Sequence, residues 1–201
     1  MKLTITVAGL LLLMSGADPG GNGNPPSHSS LTAEQPTLNV ATHEPPQAEV
    51  AVGGSAPDFS YQGPDSRWRH LHDLTSQGVV LLVFGAAERD LEAMESERDA
   101  LLDLRVIPVA VLDMKPSRAW ASARRLGLRY TVLADPRRVI GHQFNSIDTS
   151  RPVTIPSWFL IDHRRTVRGL QHGPLPKQGF TKLAALALGL PHPGATVSTC
   201  K

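Results

Sequence analysis

The chain has 201 residues, room for one domain with appendages rather than two full domains. A formal charge of +2, with basic residues scattered rather than striped, gives no case for a nucleic-acid footprint. The single cysteine, Cys200, excludes an intramolecular disulfide, a Cys-x-x-Cys motif and a cysteine-ligated zinc site.

The first segment reads as an export signal. Lys2 supplies a positive start, Leu3 to Met14 is mostly apolar, and Ser15-Gly16-Ala17 offers small residues at a cleavage site before Asp18. The apolar run falls short of the roughly 20 residues that span a bilayer; an uncleaved membrane anchor is the alternative. Residues 1–17 therefore predict an exported protein, periplasmic or extracellular in a bacterium. Residues 18–51 are rich in Gly, Asn, Pro, Ser and Thr, as in Gly20-Gly21-Asn22-Gly23-Asn24-Pro25-Pro26. Such a stretch buries too little apolar surface to offset the entropy of ordering it, and it reads as a flexible tether. A folded domain is expected over 52–190, followed by a flexible tail over 191–201.

Within the domain, Pro57 to Tyr61 alternates as a short strand, and Gly63-Pro64-Asp65 marks a turn. Val79 to Phe84 is a continuous apolar run ending at Gly85, the pattern of a strand buried on both faces. From Glu88 to Leu104, Leu91, Met94, Leu101 and Leu102 recur at helical spacing. Val106 to Asp113 predicts the next buried strand, with Pro108 requiring a bulge or an edge. A helix is expected over 117–126, stopped by Gly127, and a short strand over 131–134. Asp135-Pro136 then reads as an N-cap followed by proline at the first helical position. Residues 158–162 and 166–170 pair as a hairpin, and a helix over 178–188 closes the domain. Strands alternating with helices and ending in a hairpin imply an α/β sandwich with a mixed sheet.

Four segments in this order resemble the redoxin branch of the thioredoxin superfamily, which includes the alkyl hydroperoxide reductase/thiol-specific antioxidant proteins and TlpA-like thiol oxidoreductases. They are Val52-Gly53-Gly54-Ser55-Ala56-Pro57-Asp58-Phe59, the Val80–Phe84 strand, Leu133-Ala134-Asp135-Pro136, and Ile155-Pro156-Ser157-Trp158-Phe159-Leu160-Ile161-Asp162. The resemblance implies a thioredoxin-like three-layer sandwich. It also implies a cis-proline at Pro156 facing the active site, with the Ile155–Pro156 edge able to hold an extended peptide or protein partner.

The resemblance fails at the redox loop. Where family members commonly carry Trp-Cys-x-x-Cys, this chain reads Gly85-Ala86-Ala87-Glu88-Arg89-Asp90-Leu91-Glu92, placing Arg89 and Glu92 at the cysteine positions and keeping a glutamate at Glu95. Disulfide exchange and peroxide reduction both need a thiolate. A guanidinium has no nucleophilic lone pair and cannot cycle between oxidation states. Glu88, Asp90 and Glu92 read first as partners of a helix start. No catalytic residue and no cofactor are assigned. His70, His72 and Asp73 invite a metal reading, but the histidines read as surface residues, His142, His163, His172 and His192 falling on different loops; no metal is assigned. No Gly-x-Ser-x-Gly elbow, phosphate-binding loop or His-Glu-x-x-His occurs.

Two functions follow. One is an exported, non-catalytic module binding a peptide or protein at the degenerate site. The other is an oxidoreductase or antioxidant working through Cys200 or a partner's thiol.

Overall fold

The structure, a computed structural model, describes residues 49–190. The expected export signal, nearly all of the expected tether and the tail with Cys200 lie outside the described residues.

The chain opens with a hairpin of β1 (Ser60–Gln62) and β2 (Trp68–His70), and α1 (Leu71–Thr75) follows at once. Next come β3 (Val79–Phe84), α2 (Glu88–Ser96), α3 (Arg98–Asp103), β4 (Val106–Leu112), α4 (Pro116–Arg125) and β5 (Thr131–Ala134). The last part holds α5 (Val139–Gln143), a small pair β6 (Ile147–Asp148) and β7 (Val153–Thr154), then β8 (Ser157–Ile161), β9 (Val167–His172) and α6 (Phe180–Leu188). The central sheet has the order β5-β4-β3-β8-β9. Its β3–β4 and β4–β5 pairs are parallel, and its β3–β8 and β8–β9 pairs are antiparallel, which makes the sheet mixed.

The apolar run of β3 is continuous because both faces of the sheet are covered. Val80, Leu82 and Phe84 join one core with Leu71 and Leu74 of α1 and Ile140 of α5. Leu81 and Val83 point the other way, to Leu91, Met94, Leu101, Ala119 and Phe180 on α2, α3, α4 and α6. These are the three layers of the expected α/β sandwich. On the first face Phe144 lies 5.1 Å from Phe159, 5.6 Å from Phe84 and 6.0 Å from Phe59, mostly edge to face.

Several local expectations are corrected. The first strand spans Ser60–Gln62 rather than starting at Pro57. Pro108 sits within β4, opposite Leu81 of β3, but the β4–β5 ladder begins only at Val109, so its missing N–H falls at a local edge. Asp135 does not start the helix directly. Residues 135–138 form a turn through Arg138, φ 56°, and the Asp135 carboxylate reaches across it to accept the N–H groups of Val139 at 2.8 Å and Gly141 at 2.9 Å. His70 ends β2 while His72 lies in α1.

The helix expected over 88–104 breaks at Glu97, between α2 and α3. Glu97 accepts the N–H groups of Gly179 at 2.5 Å and Thr181 at 2.8 Å, and so ties the break to the start of α6. Burial pushes the Glu97 carboxyl up, but these backbone donors outweigh it and hold the group below its ordinary value of 4.5. Its contribution to stability is present above that ordinary value and is lost as pH falls through the lower folded one. Glu97→Gln is therefore expected to flatten the fall of the urea midpoint between about pH 5 and pH 2. An unchanged fall would mean that the break is held by packing alone.

Candidate functional site

The degenerate redox loop follows β3 directly. Gly85 has φ 61°, and a Cβ there would lie 2.9 Å from Pro156 Cα and N, so the loop and the Ile155–Pro156 segment touch backbone to backbone. Ala86 and Ala87 follow, and the Asp90 carboxylate accepts the Ala87 N–H at 3.0 Å, closing the first turn of α2. Arg89 projects outward with its side chain 78% exposed, and its Nε lies 3.4 Å from Asp90 Oδ1. Glu88 pairs with Arg125 of α4, and Glu95 pairs with Arg129 at 2.6 Å while also accepting its N–H. Glu92 is exposed one turn after Arg89. The acids at this helix start thus serve as cap and charge partners, and an exposed Arg89–Glu92 turn stands at the positions that the resemblance gives to the thiols.

Pro156 departs from the resemblance: no cis peptide bond occurs among the described residues. Trans is the lower-energy form of an X–Pro bond, and here the neighbouring backbone groups are all used in that form. Ile155 N–H donates to Ser146 O at 2.8 Å, and Ile155 O accepts the Ser157 hydroxyl at 3.0 Å. Pro156 O accepts Gly173 N–H at 2.7 Å. The edge expected to hold a peptide is therefore hydrogen-bonded within the chain.

Beside it stands a cluster that sequence reasoning missed. Asp113 Oδ2, past the end of β4, lies 2.5 Å from Arg138 Nε and 3.3 Å from the Thr154 hydroxyl. The three residues lie 25 and 41 positions apart, and only the folded sheet brings them together. The three residues line a small void together with Phe84, Val111, Asp135 and Gly141 beside the site.

His70 Nδ1 lies 3.1 Å from the Ser60 hydroxyl, and the backbone N–H of His70 donates to the Asp73 carboxylate at 2.8 Å. Among the described residues no group of three or more His, Cys, Asp or Glu side chains is placed to hold a metal ion.

A mixed sheet between helices, with a loop after its central strand facing the Ile155–Pro156 segment, defines a thioredoxin-like redoxin domain. The chain belongs to the AhpC/TSA family, whose sequence profile matches residues 52–170. Among solved structures, it is similar to the peroxidoxin BcpB of Mycobacterium tuberculosis, with a TM-score of 0.62 and 19% identity over 70% of this chain and 97% of that one. It is also similar to Enterococcus faecalis AhpC, with a TM-score of 0.61 and 14% identity over 70% and 93% of the two chains. These two likenesses establish the fold. A putative thiol:disulfide interchange protein DsbE from Chlorobium tepidum matches at 26% identity and a TM-score of 0.58, over 70% of this chain and 100% of that one. No curated protein matches the chain.

Proposed function

We propose that this is an exported AhpC/TSA-family protein whose domain binds a partner instead of carrying out thiol chemistry. The observation that carries the reading is the loop after β3, where Ala86-Ala87-Glu88-Arg89 supplies no sulfur and Arg89 and Glu92 stand in the solvent. Neither a guanidinium nor a carboxylate can form a disulfide or reduce a peroxide. Residues 1–17 direct export in this reading, and residues 18–51 tether the domain. The partner is an extended peptide or protein segment. It meets the exposed Arg89–Glu92 turn, since the N–H and C=O groups of Ile155 and the C=O of Pro156 are already engaged.

The second reading, an oxidoreductase using Cys200 or a partner's thiol, draws support from the likeness to the Chlorobium tepidum protein. The two are separated by assaying insulin reduction and peroxide turnover of the purified protein beside Cys200→Ser. The binding reading expects no turnover above background in either protein. Robust turnover abolished by Cys200→Ser would establish the enzyme.

A further inference from the structure

A groove of about 560 Å³ lies between the β1–β2 hairpin and α5. Its apolar lining comes from Phe59, Tyr61 and Trp68 on the side of the hairpin, Pro116 at the start of α4, and Val139 and Ile140 on α5. Phe59, Tyr61 and Ile140 also belong to the core and are buried, but Trp68 is 70% exposed and Val139 54% exposed. One groove thus leaves two large apolar side chains in water, one on β2 and one on α5.

The chain enters the domain beside this groove. Val50 is buried, and its backbone N–H donates to Asn145 Oδ1 at 3.1 Å, two positions after Gln143 of the α5 wall. Glu49 is exposed, and Glu44-Pro45-Pro46-Gln47-Ala48 comes immediately before it. Between Val139 and Gln143 the helix advances only about 6 Å. Pro46, four residues before Val50, can stand up to about 13 Å from it. The prolines therefore reach the groove from the point where the chain enters. Each proline fixes its own φ and keeps the residue before it extended. Such a segment loses little entropy on docking, and aromatic-lined grooves take proline-rich segments for that reason.

We propose that this groove holds the chain's own Glu44–Ala48 segment, with Pro45 and Pro46 packed against Trp68 and Val139. The seated segment is a strap that shields both side chains from water. None of the lining residues belongs to the redox loop or to the Ile155–Pro156 segment, so the proposal does not depend on partner binding there.

Two measurements on the full-length protein test this. In ¹⁵N-labelled protein, Pro45→Gly/Pro46→Gly is expected to shift the Val139 amide and the Trp68 indole N–H, the latter assigned by its loss in Trp68→Phe. In urea, Trp68→Ala is expected to lower the unfolding midpoint of the unaltered chain at least about twice as far as that of the glycine variant. Trp68 is mostly exposed, so its replacement leaves the fold intact. Additive effects on the midpoint, or Trp68 and Val139 resonances unmoved by the glycines, would overturn the proposal. Resonances that move with protein concentration instead would assign the groove to a second copy and overturn it as well. So would saturable binding of hexaproline with equal affinity to both proteins, which would assign the groove to a separate proline-rich partner.

Discussion

Gly85→Ala is expected to lower the unfolding free energy by about 3 kcal/mol, read from urea denaturation. Two costs combine. The left-handed conformation, φ 61°, costs a Cβ-bearing residue about 1–2 kcal/mol. The new methyl would also stand 2.9 Å from Pro156 Cα and N and 3.2 Å from Ile155 C, all backbone atoms that cannot rotate away. Gly127 provides the comparison: it has φ 64° but nothing within 4 Å of an added Cβ. Gly127→Ala is expected to show the conformational cost alone, about 1–2 kcal/mol. Equal losses at the two positions would show that contact with Ile155–Pro156 does not dictate the glycine at 85.

Asp162→Ala is expected to cost more, about 4 kcal/mol. Asp162 is 4% exposed and organises the turn between β8 and β9. Its carboxylate accepts the N–H groups of Arg164 at 2.9 Å and Thr166 at 2.8 Å, and the Arg168 Nε–H at 2.7 Å. Burial pushes the carboxyl up, but the Thr166 and Arg164 N–H groups and the Arg168 guanidinium outweigh it and hold it below its ordinary value. Alanine would strand two backbone donors of a tight turn. Arg168 is half exposed, so its share is small. Asp162→Asn keeps one acceptor oxygen and is expected to recover about half of the loss. A cost below about 1 kcal/mol for alanine would mean that the backbone bonds between Asp162 and Thr166 or Arg165 hold the turn unaided.

The parts of the fold legible in the sequence are those written in local pattern. The runs at Val79–Phe84 and Val106–Leu112 read as strands covered on both faces, and the Trp158–Asp162 and Thr166–Leu170 segments flank a polar turn. The absence of the redox-loop cysteines was equally legible, because a missing thiol is a fact of composition. What the sequence hid is settled by partners far along the chain. The helix breaks at Glu97 because its carboxylate caps a helix 82 and 84 positions later. The start of α5 is displaced because Asp135 bonds across a turn that Arg138 makes with positive φ. At the site, Asp113, Arg138 and Thr154 carry no mutual spacing, and the engagement of Ile155 N–H depends on where Ser146 falls. The groove beside α5 is likewise drawn from segments that meet only once β1, β2, α4 and α5 have packed.

The scarcity of sulfur has a consequence for handling as well as for chemistry. Between residues 49 and 190 the only sulfur atoms are the thioethers of Met94, fully enclosed, and Met114, half-buried past the end of β4. Peroxide can at most convert Met114 to its sulfoxide, and no cross-link can form within this stretch. Its refolding needs neither a reductant nor a disulfide isomerase. Between residues 49 and 190, therefore, no disulfide can respond to the redox potential.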